Sequence, residues 1–281
     1  MIEDYSNVLQ NIQNELKEYC VSNSLKSLVI GVSGGIDSAV VCALAKPVCD
    51  EIGIPLIGRY IGITSNSPEE KERAIAIGES YCHDFKCVTL GKEFMFLLEA
   101  MEGDNKNAIA NGNIKARMRM IYLYDVAGRT GGMVLGTDNW TEYLLGFWTK
   151  NGDDFDYNLI HSLWKSEVYS LADPFVFVNS ILRSMDATNR ANAMKACVDA
   201  NATDGLGISE TDLDQIMPDW KERHKNTREG YTEVDFVLQK YTALTHEGIF
   251  DELNDNPVIK RHLRTNFKRN IPINVPRSKI V

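Results

Sequence analysis

The fold is decided by residues 27–38, which read Ser27-Leu28-Val29-Ile30-Gly31-Val32-Ser33-Gly34-Gly35-Ile36-Asp37-Ser38. The first half is a short apolar run with several β-branched residues, which predicts a buried parallel strand. Glycines follow at once, and the small and apolar residues from Ser38 to Asp50 predict a helix that Pro47 should kink or end. Glycines let the backbone approach an anion closely, and a helix N-terminus directs its amides at that anion. The stretch therefore predicts a phosphate-binding loop between a strand and a helix.

Outward from this loop, predicted strands and helices alternate along the chain. Further strands are expected at 55–63, 85–90 and 132–136, and helices at 2–19, 68–81, 93–102 and 108–130. This alternation predicts the α/β class: a doubly wound parallel sheet with helices on both faces and ligands at the carboxyl ends of the strands. Beyond residue 171 the pattern predicts a helical C-terminal extension, with helices near 176–200 and 233–245 and an extended tail at 270–281. No linker divides the chain, so a single domain over residues 1–281 is expected.

Asp37 indicates that a metal ion takes part. A carboxylate beside a bound phosphate is repelled unless a divalent cation lies between them, so the loop implies Mg²⁺. The hydroxyls of Ser33 and Ser38 can donate to phosphate oxygens. The simpler interpretation is a tight turn followed by an ordinary acid in the first turn of a helix. This simpler interpretation accounts for a Gly-Gly pair on its own, but it accounts less well for the whole string from Ser33 to Ser38.

Composition and charge exclude several classes of protein. Apolar residues make up 44% and charged residues 25% of the 281 residues, as in globular proteins. The net charge of -9 argues against a nucleic-acid binder, although residues 260–269 form a local basic patch. The acidic N-terminus and the lack of a long apolar run predict neither a signal peptide nor a membrane span. Six cysteines without a C-x-x-C pair predict reduced thiols and a cytoplasmic protein.

The loop and two later stretches together resemble a known family. The string from Ser33 to Ser38 is similar to the phosphate-binding loop of the N-type ATP pyrophosphatases, which transfer AMP and release pyrophosphate. It lacks the lysine of the G-x-x-x-x-G-K-[ST] loop, so transfer of the γ-phosphate is not implied. Residues 136–153, which begin Gly136-Thr137-Asp138-Asn139-Trp140-Thr141-Glu142, resemble the signature of NAD synthetases. The same family's G-N-x-x-A-R-x-R-M segment is matched by Gly112-Asn113-Ile114-Lys115-Ala116-Arg117-Met118-Arg119-Met120.

This resemblance implies an ammonia-dependent NAD synthetase, a ligase of NAD biosynthesis. In the implied reaction the carboxylate of deamido-NAD attacks the α-phosphate of ATP, pyrophosphate leaves, and ammonia then displaces AMP from the NAD-adenylate. Mg²⁺ is the expected metal and a homodimer the expected assembly. Too few residues precede Ser33 for a glutaminase domain, so free ammonia is the expected donor, and a separate glutaminase subunit is not indicated.

Residue by residue, the resemblance assigns two groups of contacts. Asp37 and Lys165 are the expected catalytic residues, and Asp37 and Glu142 the expected metal ligands. The expected ATP contacts are Gly31, Ser33, Gly34, Gly35, Ile36, Asp37, Ser38, Arg59, Thr137, Lys165 and Thr203. The expected deamido-NAD contacts are Arg117, Lys150, Asp156, Phe267 and Lys268. Glu142 is also expected at the site because it follows the strand that ends at Gly136.

Departures from the family pattern leave alternatives open. The segment around Thr203 lacks the family's proline, and Phe267 stands where the family has a histidine. The segment from Gly152 to Asp156 is one residue shorter than the family's, and the chain is longer between Ala172 and Asn201. The alternatives are a GMP-synthetase-like or tRNA-modifying ATP pyrophosphatase, and a non-catalytic nucleotide-binding module.

Overall fold

A single parallel sheet organises the protein. The structure is a computed structural model that describes residues 2, 4–64, 67–181, 185–203, 209–246 and 253–269. Its strands are β1 (Leu28–Gly31), β2 (Leu56–Gly62), β3 (Asp84–Thr89), β4 (Met133–Gly136) and β5 (Tyr157–Asn158), in the order β3-β2-β1-β4-β5. Every neighbouring pair is parallel. The sheet grows one way from β1 to β3 and the other way from β1 to β4, so a crevice opens at the carboxyl ends of β1 and β4.

Helices cover both faces of this sheet. They are α1 (Tyr5–Ser22), α2 (Ile36–Ile52), α3 (Pro68–Tyr81), α4 (Gly91–Ala100), α5 (Ala108–Thr130), α6 (Trp140–Leu145), α7 (Lys165–Ile181), α8 (Met185–Asp199), α9 (Leu213–Ile216), α10 (Trp220–Arg223), α11 (Thr227–His246) and α12 (Pro257–Arg264). A 3-10 turn follows at Asn266–Lys268. None of the helices in the described ranges is both long enough and apolar enough to cross a bilayer.

The strands contribute alternate residues to two hydrophobic cores. Leu28 and Ile30 of β1 pack with α1, α2 and α7 on one face, while Val29 packs with α4 and α5 on the other. In β4, Met133 packs into the first of these cores and Val134 into the second. Because both faces are covered, the central strands need apolar residues at every position, which explains the continuous apolar run in the sequence.

The predicted α/β class and doubly wound sheet are confirmed, with differences in the helices. The helix α2 continues through Pro47 to Ile52, because buried neighbours such as Val48 and Cys49 hold it in place after the loss of one hydrogen bond. The helix predicted near 176–200 is two helices, α7 and α8, and α7 begins at Lys165. The tail predicted as extended, residues 270–281, lies outside the described residues.

Candidate active site

The loop between β1 and α2 has the geometry that an anion site needs. Gly34 has a φ of 84°, and a Cβ atom there would lie 2.3 Å from the Glu70 carbonyl oxygen, so only glycine fits without a shift. The Ser33 and Ser38 hydroxyl oxygens are 3.1 Å apart, and the Gly35 amide donates to Ser33 Oγ across 3.2 Å. Gly35 is the N-cap of α2 and has no side chain to cap it. The first amides of α2 are therefore oriented to bind an anion.

Lys165 joins this loop to the segment after β4. Its ammonium donates to Asp37 Oδ2 on α2 and to Glu142 Oε1, 2.8 Å away on α6. The lysine side chain is 2% exposed, and the two carboxylates are 16% and 14% exposed. Burial on its own lowers the pKa of Lys165, but the Asp37 and Glu142 carboxylates outweigh it and hold the pKa well above its usual value. Lys165 is therefore a buried ammonium ion shared by two carboxylates.

Asn139 orients both of these carboxylates. Its side-chain amide donates to Asp37 Oδ1 across 2.9 Å, and its side-chain oxygen accepts from the Glu142 amide at 3.0 Å. The Glu142 carboxylate accepts in turn from the Asn139 backbone amide, which completes a capping box at the start of α6. Asn139 is fully buried, so its side chain is shielded from water while the two carboxylates still face the pocket.

The charge around the ion pair suits a divalent cation. Burial raises the pKa of Glu142 to about 7, and the Asp37 carboxylate adds to the rise. Burial, followed by the carboxylates of Asp153 and Glu142, raises the pKa of Asp138 as well. Carboxylate oxygens are the ligands that Mg²⁺ prefers, so Asp37 and Glu142 fit this metal. No group of three metal-ligating side chains occurs in the described residues.

A pocket of about 280 Å³ opens in front of this ion pair. The loop, the middle of β2, the end of β4 and the chain after α8 form its walls. Arg73 adds positive charge beside the loop, where its Nε donates to the Gly34 carbonyl oxygen across 2.9 Å. Arg119 also lines the pocket and donates to the Ile61 carbonyl oxygen across 3.2 Å. The pocket thus offers backbone amides, a lysine and the guanidinium groups of Arg59, Arg73 and Arg119 around one acidic corner.

A second cluster of cations lies outside the pocket. Arg117 Nη2 donates to the Lys150 carbonyl oxygen at 3.1 Å, and Lys150 Nζ lies 5.8 Å from the centre of the Phe267 ring. The ammonium of Lys268 donates to the carbonyl oxygens of Gly146 and Trp148. Phe267 is 59% exposed, so the cluster presents a flat apolar ring beside positive charge. We call Arg117, Lys150, Phe267 and Lys268 the acceptor surface.

Comparison with known proteins agrees with this geometry. A family model described as NAD synthase matches residues 8–272. The chain belongs to the NAD synthase family. The NH(3)-dependent NAD(+) synthetase of Mycoplasma pneumoniae is 32% identical over 221 residues, which are 77% of this chain and 84% of that protein.

Solved structures share the fold of this NAD synthase family member at lower sequence identity. The NMN synthetase of Francisella tularensis has a TM-score of 0.70 and 23% identity, over 98% of this chain and 99% of that one. The NH3-dependent NAD synthetase of Campylobacter jejuni has a TM-score of 0.66 and 23% identity, over 97% and 100% of the two chains. Both agree with the parallel sheet and its covering helices.

The structure brings most of the predicted ATP contacts of this NAD synthase family member together. All of them except Gly34 line the pocket. Gly34 belongs to the same loop but lies against the Glu70 backbone. Arg59 lies inside β2, and its guanidinium group donates to the carbonyl oxygens of Gly58 and Asp84 and to the Asp84 carboxylate. The segment between Ala172 and Asn201 contributes Cys197, Ala200 and Asn201 to the wall.

Four of the five predicted deamido-NAD contacts form the acceptor surface, and Asp156 lies apart from it. The Asp156 carboxylate accepts from the Val134 amide at 2.9 Å and from the Tyr124 hydroxyl at 3.0 Å, so it holds the edge of β4. In the segment from Gly152 to Asp156, Asp153 rather than Asp156 lines the pocket. A contact of Asp156 with the dinucleotide stays a prediction.

Sequence reasoning missed three residues of the site, Asn139, Arg73 and Arg119. Asn139 could have been found, because Asn139-x-x-Glu142 is a capping-box pattern directly after a predicted strand. Arg119 could also have been found, because it is the second arginine of the segment that resembles G-N-x-x-A-R-x-R-M. Arg73 carries no local signal, since only the packing of α3 against the sheet places it at the pocket.

Proposed function

We propose that this chain catalyses the ATP-dependent amidation of deamido-NAD to NAD, with ammonia as the nitrogen donor and AMP and pyrophosphate as products. The observation that carries the proposal is the buried Lys165 ammonium between Asp37 and Glu142, in a pocket lined by the phosphate-binding loop. Membership of the NAD synthase family supports the choice of reaction, as does the name of the M. pneumoniae relative.

Two steps account for the products. A carboxylate oxygen of the nicotinate bonds to the α-phosphorus of ATP, and the bond from that phosphorus to the bridging oxygen breaks, which releases pyrophosphate. Ammonia then attacks the carboxyl carbon and loses a proton, and the bond from that carbon to the AMP oxygen breaks. The amides at the start of α2 would hold the leaving pyrophosphate, and Lys165 would stabilise negative charge at the α-phosphate. Mg²⁺ held by Asp37 and Glu142 would neutralise the phosphates of bound ATP.

The acceptor surface would bind deamido-NAD. The dinucleotide carries two phosphates and two flat ring systems, and the surface offers the cations of Arg117, Lys150 and Lys268 beside the exposed Phe267 ring. Because this surface lies outside the ATP pocket, the two substrates can bind at the same time.

We also propose a homodimer through the outward sides of α4 and α5. Large apolar side chains remain exposed there: Phe96 at 72%, Ile121 at 63%, Ile109 at 61% and Met95 at 50%. Apolar groups of this size on two adjacent helices are typical of protein interfaces. The double variant Phe96→Glu/Ile121→Glu should be a monomer by light scattering. The control is Met185→Glu, at a residue that is 82% exposed on α8. This variant should keep the mass of the dimer.

A single domain and a cytoplasmic location stay predictions. The six cysteines are free thiols, which is consistent with a reducing compartment.

Product analysis tests the proposed reaction. Purified protein is incubated with ATP, Mg²⁺, ammonium and deamido-NAD, and NAD, AMP and pyrophosphate are quantified. Equal amounts of the three products are expected. Nicotinate mononucleotide serves as the competing acceptor, because the F. tularensis neighbour is named an NMN synthetase. Preferential use of the mononucleotide would reassign the acceptor, and ATP binding without any product would favour a non-catalytic module.

A further inference from the structure

Asp235 is a buried carboxylate on α11, far along the chain from the phosphate-binding loop. It is 1% exposed, and no ion pair within the described ranges includes it. An unpaired carboxylate in an apolar interior is costly unless hydrogen bonds satisfy it. Its hydrogen-bond partners therefore indicate why the residue is there.

Both oxygens of Asp235 bind groups adjacent to the site. Asp235 Oδ1 accepts from the Thr141 hydroxyl at 2.6 Å, and Asp235 Oδ2 accepts from the Ser166 amide at 2.8 Å. The Thr141 hydroxyl oxygen accepts in turn from the Lys165 amide at 2.9 Å. Thr141 precedes Glu142, and Ser166 follows Lys165, so each bond holds the backbone next to one partner of the central ion pair.

This network binds the first two amides of α7, those of Lys165 and Ser166, while the local Glu167 carboxylate accepts from the Trp164 amide just before the helix. The first amides of a helix have no partner within the helix, and a negative charge near them is favourable. Here the acceptors come from two other helices, the Thr141 hydroxyl of α6 and the Asp235 carboxylate of α11. The Asp235 carboxylate thereby links α6 and α7, and it adds to the direct bond from the Lys165 amide to the Thr141 hydroxyl. The Lys165 side chain can reach both Asp37 and Glu142 only while its own backbone stays in place.

We propose that Asp235 is a positioning residue for the adenylation step, which holds Lys165 and Glu142 in register through Thr141 and Ser166. This inference rests on the proposed function for its kinetic consequence, but its structural consequence can be measured without turnover. Misplacement by about 1 Å of a group that acts on the transition state can cost about a hundredfold in rate. The loss should fall on kcat rather than on the KM for either substrate, since Asp235 itself belongs neither to the lining of the ATP pocket nor to the acceptor surface.

The test compares Asp235→Asn with a matched control, a variant that removes a different contact between α7 and α11. Asp173 on α7 forms an ion pair with Arg228 on α11, with 2.7 Å between Oδ2 and Nη2, and both lie at the surface. Asp235→Asn should lower kcat about tenfold to a hundredfold at pH 8, with KM for ATP changed less than about threefold. Thr141→Val should reproduce this loss, and the double variant should be no worse than either single one. Asp173→Asn should keep the wild-type kcat.

The second readout is the protection of Lys165 against reductive dimethylation, measured by mass spectrometry. The wild-type lysine is 2% exposed and should react slowly, and Asp235→Asn should label it about threefold faster or more, while Asp173→Asn should not. A wild-type kcat and unchanged protection in Asp235→Asn would overturn the proposal, as would equal effects in Asp173→Asn. If the wild-type protein made no NAD, the proposed function would fail, and the labelling would still decide the role of Asp235.

Discussion

The Asn139 side-chain amide donates to Asp37 Oδ1 across 2.9 Å, which joins the start of α6 to the start of α2. The same side chain caps α6 through the Glu142 amide. One residue thus orients two acidic side chains that reach the site from different helices. The proposed chemistry depends on this arrangement, because both carboxylates must face the same cation.

Asn139→Ala should therefore reduce activity more than its effect on stability suggests. Loss of an N-cap costs about 1 kcal/mol, and the loss of orientation at Asp37 should lower kcat by about tenfold or more. Asn107→Ala is the matched control, because Asn107 caps α5 through the Ala110 amide and has no contact with Asp37. Urea denaturation and steady-state kinetics should show a loss of stability in both variants, larger for the buried Asn139, but a loss of kcat only in Asn139→Ala. Equal kcat values in the two variants would contradict this role.

Gly34→Ala should abolish ATP binding. The left-handed backbone conformation costs alanine roughly 1 kcal/mol or more, and the added Cβ atom would meet the Glu70 carbonyl oxygen at 2.3 Å, which must distort the loop. Gly53→Ala controls for the backbone conformation alone. Gly53 has a φ of 71° at the end of α2, and no atom lies within 4 Å of an added Cβ. Calorimetry should find no ATP binding to Gly34→Ala and wild-type affinity for Gly53→Ala. Retained affinity in Gly34→Ala would show that the loop is not the phosphate site.

Phe267→Ala should weaken the binding of deamido-NAD without affecting the binding of ATP. Removal of the ring takes away the flat apolar surface beside Lys150, so KM for deamido-NAD should rise by about tenfold, a typical effect of losing a stacking contact. Phe236→Ala is the control, because Phe236 is 65% exposed on α11 and is not part of the acceptor surface. Substrate-saturation curves measure both KM values. A rise in KM for ATP rather than for deamido-NAD would place Phe267 at the other site.

Stability should depend on pH through Asp235. Burial raises the pKa of Asp235 from 3.8 to about 6. The folded protein then binds this proton more tightly than the unfolded chain does, so the stabilisation is present at low pH and is lost as pH rises through about 6. The free energy of unfolding of the wild type, relative to Asp235→Asn, should fall by roughly 1–2 kcal/mol between pH 4.5 and 7. Urea denaturation across that range measures the difference, and parallel curves would show that Asp235 does not titrate in this way.

Local sequence predicted the parts of the site that lie close together in the chain. The loop from Ser33 to Ser38 could be placed because a β-branched strand, two glycines and a helix are neighbours in sequence. Glu142 could be placed because carboxyl ends of parallel strands collect ligands. Their meeting around Lys165 could be expected only from resemblance, since spacing alone does not bring α2, α6 and α7 together.

The features that the sequence did not predict depend on contacts between segments that are distant in the chain. The start of α7 was missed because its first amides are bound by Thr141 and Asp235 rather than by a local capping residue. The six-residue α6 is too short to show a helical period. Pro47 was expected to kink or end α2, but the helix continues to Ile52, because packing on buried neighbours outweighs a local preference.

The central claim is that the carboxylate of deamido-NAD is adenylated. The most direct test is whether an oxygen atom moves from that carboxylate to AMP. Deamido-NAD labelled with ¹⁸O in the nicotinate carboxylate is converted in the presence of ATP, Mg²⁺ and ammonium, and the products are analysed by mass spectrometry. Attack of the carboxylate on the α-phosphorus predicts one ¹⁸O atom in AMP and none in pyrophosphate. Formation of ADP and labelled phosphate, or of AMP without ¹⁸O, would contradict adenylation in the pocket formed by Asp37, Glu142 and Lys165.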